Sequence, residues 1–298
     1  MEESRKRLSV AVGIATTGRP DVLACALDLI RAQTRSADEI IVCPARECDL
    51  PKTYTGITVV AAPDMGLCAQ RNAILTRADS HDIILFIDDD FYLCSDYLQV
   101  IENRFFLEPD IVGITGLVVA DGATTQGIPH EVALELLNTS SSEPAQAKQP
   151  EEDNIFALYG CNMAYRMSAI ARARAMFDER LPLYAWLEDT DFSRQVASEG
   201  RLVYERRARG VHLATKSGRT SGYRFGYSQI VNPAYLLSKG TLTFKRALHQ
   251  ALRNVSKNIV HSVAPEPWVD RRGRLRGNLT ALWHLLKGEL DPERIRTL

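Results

Sequence analysis

The chain has 298 residues, of which 45% are apolar and 24% charged, as is typical of a globular protein with one large domain or two ordinary ones. No apolar run approaches the ~18 residues that a membrane-spanning helix needs. The six cysteines are scattered and lack the two close pairs of a zinc site, so we expect reduced thiols and a cytoplasmic protein.

The net charge is only −1, but acidic and basic residues are separated along the chain. Residues 1–200 contain 17 Lys and Arg against 31 Asp and Glu, a net −14. Residues 201–298 contain 19 against 6, a net +13. This asymmetry predicts an anionic partner for the C-terminal part, and nucleic acid, anionic lipid or a diphosphate group would each fit it.

The first part of the chain alternates strand and helix patterns. Short apolar runs predict four strands, over residues 8–15, 40–43, 57–61 and 83–87. Apolar residues at helical spacing predict two helices, over residues 20–35 and 66–78. Strands that alternate with helices indicate an α/β protein with a parallel, doubly wound sheet.

After residue 95 the pattern is less regular. It predicts helices over residues 97–106, 168–176 and 188–198. It predicts further strands over residues 111–119, 155–165, 201–204 and 210–213. Residues 138–153 contain almost no apolar side chain, which predicts a mobile loop.

The last sixty residues predict helices with an apolar and a basic face. The apolar stripe of the first helix consists of Phe244, Leu248, Ala251, Leu252, Val255 and Ile259. Its basic face carries Arg246, His249, Arg253 and Lys257. A basic cluster over residues 271–276 precedes a final short helix that contains Trp283. Such a helix either lies on an anionic membrane surface or packs its stripe on the domain with its cations in solvent, and both interpretations stay open.

Three consecutive carboxylates, Asp88-Asp89-Asp90, follow the apolar run over residues 83–87. A continuous apolar run is typical of a strand buried on both faces, and ligands of open α/β sheets bind beyond the carboxyl ends of the strands. Adjacent carboxylates repel one another unless a cation lies between them, and Mg²⁺ and Mn²⁺ prefer such oxygen ligands. The pattern therefore predicts either a divalent metal site or a solvated acidic turn.

Several common motifs are absent from the sequence. It contains no G-x-G-x-x-G, no G-x-x-x-x-G-K-[ST], no H-E-x-x-H and no G-x-S-x-G. These absences argue against a classical dinucleotide site, a P-loop, a zinc protease and a nucleophile elbow. The aspartates need another explanation.

Four segments occur in an order that resembles glycosyltransferase family 2. They are Gly66 with Arg71-Asn72, the Asp88-Asp89-Asp90 strand end, Gly160-Cys161-Asn162-Met163 with Arg166, and Phe177-Asp178-Glu179 with Trp186-Leu187-Glu188-Asp189-Thr190-Asp191. The resemblance covers about residues 8–235 and implies the GT-A fold, a mixed, mostly parallel sheet flanked by helices. It implies a domain over residues 1–235, with a donor half to about residue 120 and an acceptor half after it. Residues 236–298 would form a basic, helical C-terminal extension.

The resemblance implies a metal site and a catalytic base. Asp88 and Asp90 look like the D-x-D pair that holds Mg²⁺ or Mn²⁺ on the donor diphosphate, with Asp89 facing the donor. His212 falls where many members place a histidine near the metal. Asp189 looks like the base that takes a proton from the acceptor hydroxyl.

Glu188 would orient this base or the acceptor. The alternative for Glu188 and Asp189 is a helix N-terminus that is simply rich in acids.

The resemblance also implies donor contacts. Thr16, Arg71 and Asn72 look like residues near the nucleotide or the sugar, although a partly exposed helix would explain the last two as well. Lys216 and Arg219 lie in a stretch rich in Gly and Ser, which is either a lid over the donor or an ordinary solvated loop.

One segment departs from the family pattern. Many members carry an aspartate that binds the base at the end of the second strand, whereas this chain has Cys43-Pro44-Ala45. The nucleotide is therefore open, and a UDP-sugar is the default.

The implied activity is that of an inverting hexosyltransferase, metal-dependent and acting on a saccharide acceptor. A lipid-linked acceptor, a role in bacterial exopolysaccharide or surface glycan synthesis, and peripheral attachment to the inner face of the cell membrane are further expectations. A sugar nucleotidyltransferase is a competing interpretation, but its basic triphosphate loop is not found after the first strand. A non-catalytic membrane- or nucleic-acid-binding module is another, and it leaves Asp88 and Asp189 unexplained.

Overall fold

The computed structural model of the protein describes residues 7–142, 152–216 and 221–298. Four strands form the first half of its sheet, with parallel pairing in the order β3-β2-β1-β4. They are β1 (Val10–Thr16), β2 (Glu39–Pro44), β3 (Thr58–Val59) and β4 (Ile83–Asp88). The chain passes through helices α1 (Pro20–Arg31) and α2 (Leu67–Arg77) between them.

The second half of the sheet mixes parallel and antiparallel pairing. Its strands are β5 (Phe91–Leu93), β6 (Ile111–Asp121), β7 (Glu152–Asp153), β8 (Asn162–Arg166) and β9 (Arg201–His212). Over the described residues the sheet has the order β3-β2-β1-β4-β8-β6-β9-β5, with β7 beside β9. Strand β8 runs antiparallel to β4, so its first residue, Asn162, lies opposite Ile87. This mixed sheet is consistent with the GT-A fold and confirms the predicted fold class.

Seven further helices complete the described chain. They are α3 (Tyr97–Leu107), α4 (His130–Ser142), α5 (Met167–Ala173), α6 (Glu188–Val196), α7 (Gly222–Lys239), α8 (Phe244–His261) and α9 (Arg271–Leu286). Within the described ranges, none of the helices is both long and apolar enough to cross a membrane.

Strand β4 shows why a run of apolar residues leads into the acidic cluster. Ile84 and Phe86 face one hydrophobic core, while Ile83, Leu85 and Ile87 face the other. Because all five side chains are buried, neither face of this strand tolerates a polar residue until the strand reaches the edge of the sheet. Burial of each such side chain stabilises the fold by about 1.5–3 kcal/mol.

Two predicted strand assignments were wrong in their bounds. Of the strand predicted over residues 155–165, only the part from Asn162 onward pairs in the sheet. The N–H of Leu158 donates instead to Ser193 Oγ, and the N–H of Asn162 closes a turn on the carbonyl of Tyr159. The two short strands predicted over 201–204 and 210–213 are one strand, with a bulge over residues 206–208.

Two helices also differ from the prediction. The loop predicted from residue 138 is helical up to Ser142, and residues 143–151 lie outside the described part of the chain. The basic cluster over residues 271–276 forms the first turns of α9 rather than preceding it. Asp270 caps this helix by accepting a hydrogen bond from the N–H of Gly273, at 2.7 Å.

Candidate active site

The acidic residues converge at one edge of the sheet. Asp88 ends β4, and Asp90 lies in the turn into β5. His212 ends β9, which pairs with β5 through Phe91. One ligating atom each from Asp88, Asp90 and His212 lies within 4.8 Å of the other two. Two carboxylates and one imidazole form a suitable donor set for Mn²⁺ or Mg²⁺, so these residues could hold the predicted ion.

His212 is oriented by a second set of contacts. Its Nδ1 lies 2.9 Å from Asp121 Oδ1, and its Nε2 lies 3.6 Å from Asp90 Oδ1. Tyr159 donates a hydrogen bond to the other oxygen of Asp121, at 2.8 Å. Burial opposes the charged imidazole, but the Asp121 hydrogen bond and the nearby Asp90 outweigh it and raise the pKa of His212. Because Asp121 holds Nδ1, the other ring nitrogen, Nε2, is directed at the candidate metal ligands Asp88 and Asp90, as in many metal sites.

Asp89 is placed differently from its two neighbours. Its side chain is fully buried, and Oδ2 accepts a hydrogen bond of 2.5 Å from Thr16 Oγ1 at the end of β1. Thr16 is buried as well. A donor contact for either residue stays a prediction.

Arg19 is a site residue that the sequence analysis missed. Its guanidinium lies 2.6 Å from Asp89 Oδ1 and 2.7 Å from Asp90 Oδ2. Burial raises the pKa of Asp89 to about 7, although Arg19 acts in the opposite direction. The sequence feature that could have identified Arg19 is its place directly before Pro20, between the first strand and the first helix.

Arg71 is buried and connects two acidic motifs. Its NH1 lies 2.5 Å from Glu188 Oε1, and its NH2 lies 3.2 Å from Asp88 Oδ1. NH2 also donates to the carbonyl oxygen of Gly160, at 2.9 Å. The guanidinium is stacked over the ring of Phe177, 5.4 Å from its centroid. Arg71 therefore links the candidate metal group to the acidic helix α6.

Asn72 holds the chain that leads towards α6. Its amide oxygen accepts from the N–H of Phe177, and its amide nitrogen donates to the carbonyl of Phe177 and to Glu179. These bonds tie residues 177–179 to α2. The predicted donor contact of Asn72 stays a prediction.

Asp189 and Glu188 occupy the first turn of α6. Oδ2 of Asp189 accepts from the N–H of Gly160 at 3.0 Å, and Oδ1 accepts from the N–H of Thr190 at 2.6 Å. Burial raises the pKa of Asp189. Burial, followed by the charge of Asp189, raises the pKa of Glu188 to about 8, against the effect of Arg71. The pair thus combines a carboxyl with a raised pKa, which contacts Arg71, with a second one fixed by backbone donors.

Gly160 leaves little room between these carboxyl groups. A Cβ atom at this position would lie 3.2 Å from Asp189 Oδ2 and 3.3 Å from Glu188 Oε1. Gly160 also contributes its N–H to Asp189 and its carbonyl to Arg71. A methyl group here would push these carboxyl groups away by a few tenths of an ångström.

The segment before α6 is strained. Leu183, Ala185 and Leu187 have φ values of 61°, 51° and 75°, a conformation that costs a residue with a side chain about 1–3 kcal/mol. Surrounding hydrogen bonds hold it, among them one of 2.8 Å from Asn232 Nδ2 to the carbonyl of Trp186. Strain of this kind is common beside functional residues, where the surrounding structure fixes an unfavourable backbone.

Of the remaining predicted donor residues, the structure describes Lys216. Lys216 donates a hydrogen bond of 3.0 Å to the carbonyl of Gly122. The neighbouring Thr215 N–H donates to Asp90 Oδ2 at 2.8 Å, which attaches this segment to the candidate metal group. Arg219 lies outside the described residues.

A cleft of about 530 Å³ lies beyond the carboxyl ends of β2 and β3. Pro44 and Ala45, where the family aspartate was expected, form part of its wall. Arg46 and Tyr54 also line it, and Gly66 and Gln70 close it on the side of α2. Ligands of open α/β sheets bind in this position.

Several solved structures are similar to this chain in fold, at low sequence identity. A mannosyltransferase from Pyrobaculum calidifontis, solved with GDP-Man and Mn²⁺, has a TM-score of 0.54 at 15% identity over 98% of this chain and 87% of its own. TarS of S. aureus has a TM-score of 0.55 at 14% identity over 96% of this chain and 55% of its own. GalNAc-T7, solved with UDP, GalNAc and Mn²⁺, has a TM-score of 0.60 at 12% identity over 98% of this chain and 56% of its own.

The sequence comparison is more specific than these likenesses of fold. No protein in the curated set matches the sequence. The profile of glycosyl transferase family 2 matches residues 11–173, which is more than half of the chain and contains the acidic strand end and Arg71. The chain belongs to glycosyl transferase family 2.

Proposed function

We propose that this glycosyltransferase is an inverting, metal-dependent hexosyltransferase that moves a sugar from a nucleotide-sugar donor to a saccharide hydroxyl. The observation that carries the proposal is the link from Asp88, through Arg71, to the acidic pair Glu188 and Asp189. The link joins residues suited to binding a metal ion and the donor diphosphate to residues suited to proton transfer. The competing nucleotidyltransferase and binding-module interpretations do not account for this link.

Asp88, Asp90 and His212 would hold Mg²⁺ or Mn²⁺ in this proposal. A bound ion would stabilise the negative charge on the diphosphate as it leaves. Two of the solved structures with this fold contain Mn²⁺, which supports the assignment. Arg71 would hold Asp88 in place, and Asp121 would do the same for His212.

Asp189 would act as the base. The acceptor oxygen forms a bond to the anomeric carbon as the bond from that carbon to the diphosphate breaks, and the diphosphate leaves with the electron pair. The acceptor proton passes to the Asp189 carboxylate. Its contacts with Gly160 and Thr190 orient the carboxylate, and a raised pKa makes it a better base. Glu188 would help to position Asp189 through Arg71, which contacts Glu188 and donates to the carbonyl of Gly160, the residue whose N–H holds Asp189.

The donor and the acceptor are proposed from the cleft and from the basic C-terminal helices. The cleft beyond β2 would take the nucleotide, with a UDP-sugar as the default, and Thr16, Asn72, Asp89, Lys216 and Arg219 stay candidate donor contacts. We propose residues 1–235 as the transferase domain and 236–298 as its extension. The basic extension supports a lipid-linked acceptor in bacterial exopolysaccharide or surface glycan synthesis, at the cytoplasmic face of the membrane.

A binding experiment tests whether the protein binds a nucleotide together with a metal ion, as this proposal requires. Thermal unfolding is measured with nucleoside diphosphates of each base, with and without Mn²⁺. A ligand at 100 times its dissociation constant stabilises the native state by roughly 2.7 kcal/mol, so a metal-dependent shift with one nucleotide is expected. Asp90→Ala should abolish that shift, while Asp79→Asn, an exposed substitution at the end of α2, should retain it. A shift that is unchanged in Asp90→Ala would refute the metal assignment.

A further inference from the structure

The last helices expose an unusual amount of apolar surface. Of the 22 large apolar residues that are exposed in the described chain, 12 lie between residues 244 and 286. They include Leu252, Trp283 and Leu286, whose exposed fractions are 57%, 58% and 83%. A concentration of this kind marks an interaction surface, because single exposed apolar residues are normally scattered.

The same two helices bury small and polar residues instead. The buried positions of α8 are Ala247 and Asn258. Those of α9 are Arg271, Gly277, Asn278 and Ala281. Asn258 donates hydrogen bonds of 2.8 Å to Asn278 and to Gln229 of α7, so these inner contacts are polar. These helices therefore attach through polar and small residues and leave their larger apolar side chains outside.

This arrangement resolves the two interpretations of the apolar stripe of α8. Ala251 and Val255 pack against the small core formed by α7 and the C-terminal residues. Phe244, Leu248, Leu252 and Ile259, at helical spacing, face outward. Part of the predicted stripe thus packs on the protein, and a larger part is exposed in the described part of the chain. In α9 the spacing of Leu279, Leu282 and Leu286 repeats the outward stripe.

Basic residues border the exposed stripes. Residues 244–287 contain nine Lys and Arg against two acidic residues, Glu266 and Asp270. Among the cations, Lys245, Arg253 and Lys257 are exposed on α8. Arg272, Arg276 and Lys287 are exposed on or beside α9. An apolar stripe beside a basic one is the pattern of a helix that lies in the plane of an anionic membrane interface.

We propose that α8 and α9 form a docking surface for an anionic lipid bilayer, with the outward apolar side chains inserted at the interface and the cations on lipid phosphates. A second copy of the chain fits this surface less well. Two such faces would bring like charges together, and the core of a protein interface is usually depleted of charged residues. This inference does not depend on the proposed transfer reaction.

The docking surface is connected to the candidate active site, which would bring an acceptor carried in the membrane close to that site. Helix α7, which holds α8 and α9, contacts the strained segment before α6. The rings of Phe225 and Tyr184 lie 5.7 Å apart, and Asn232 bonds to the carbonyl of Trp186. The docking surface is thus joined through a single helix to the segment that positions Asp189.

Vesicle flotation with the full chain tests the inference. We expect the protein to float with vesicles of phosphatidylcholine and phosphatidylglycerol, to stay in solution with phosphatidylcholine alone, and to release at high salt. The double substitution Leu252→Glu and Trp283→Glu should lower the partition coefficient by about tenfold or more. Leu107→Glu is the matched control, since Leu107 is 69% exposed at the end of α3, and it should bind like the wild type.

Two outcomes would overturn the proposal. One is a wild-type protein that stays in solution with anionic vesicles. The other is a dimer in analytical ultracentrifugation that Leu252→Glu dissociates, without any binding to vesicles, because the surface would then be a contact between copies. Because Leu252 and Trp283 are exposed, Leu252→Glu and the double variant should both fold, and circular dichroism verifies this. A separate readout is tryptophan emission, which should shift to the blue on anionic vesicles in the wild type and shift less in the double variant, because that variant lacks Trp283.

Discussion

Arg71 contacts Glu188 at 2.5 Å and Asp88 at 3.2 Å with two nitrogens of the same guanidinium. The three residues are far apart in the chain, and the contacts connect α2, β4 and α6. One buried cation thus compensates carboxylates of both acidic motifs. Its removal should affect metal binding, stability and proton transfer together.

We expect Arg71→Ala to lose about 3–5 kcal/mol of unfolding free energy, because it leaves buried carboxylates without a partner. Arg71→Lys keeps the charge but cannot contact Glu188, Asp88 and Gly160 in the same geometry, so its kcat/KM should fall with a smaller loss of stability. Urea unfolding and steady-state kinetics measure the two effects. Equal stability of Arg71→Ala and the wild type would contradict the role of Arg71 as the bridging cation.

Glu188 should make stability depend on pH. Its pKa rises from the ordinary 4.5 to about 8 on folding, so between these values the folded protein holds a proton that the unfolded chain releases. The contribution of Glu188 is therefore fully present below its unfolded pKa and is lost as pH rises towards its folded pKa.

The free energy of unfolding of the wild type should decline between about pH 4.5 and about pH 8 as the contribution of Glu188 is lost. Glu188→Gln should remove this contribution to the decline, as measured by urea unfolding across the range. Glu131→Gln, an exposed substitution on α4, is the matched control and should leave the profile unchanged. The same decline in Glu188→Gln and in the wild type would show that another group titrates.

Arg19 and Asp89 should be coupled in stability. Arg19→Ala leaves the fully buried Asp89 carboxylate without its cation, at a cost of about 3 kcal/mol. Asp89→Asn should recover more than half of that loss in the double variant, because the amide can still accept from Thr16. A double-mutant cycle by urea unfolding measures the coupling. Additive losses would mean that the two residues do not interact.

Gly160→Ala should lower kcat on the order of tenfold, because the new methyl group displaces the Asp189 carboxylate by a few tenths of an ångström. Gly56→Ala is an informative control. Gly56 has open space around it but a φ of 66°, so that variant should lose stability without losing turnover. If Gly160→Ala instead lost stability and kept its turnover, Gly160 would matter for the fold alone.

The sequence predicted those features that depend on local patterns. The run from Ile83 to Ile87 had to be a strand buried on both faces, and Asp88 therefore had to lie at its end, at the edge of the sheet. The pairing of Arg19 with Asp89 was not accessible in this way. It depends on β1 lying beside β4, which brings together residues that are seventy positions apart, and composition carries no signal for that partner.

Helical spacing has a similar limit in the C-terminal part. It identified the stripe from Phe244 to Ile259 but not what lies opposite it, so packing on the protein and binding of lipid stayed open. The structure divides the stripe, because Asn258 lies in the interior, where it donates to Asn278, while larger apolar residues of α8 are exposed. A polar interior contact of this kind has no periodic pattern that a sequence would reveal.

Asp189→Asn offers the most direct test of the proposed mechanism. We expect the variant to bind donor and metal nearly as the wild type does, and to lose transfer by about 10²–10⁴-fold, the usual contribution of a general base. Donor binding is measured by calorimetry and transfer by release of nucleoside diphosphate, with Asp79→Asn as the matched control. Loss of transfer with intact binding is the predicted result. Wild-type turnover in Asp189→Asn would contradict the assignment of the base and, with it, the proposed mechanism.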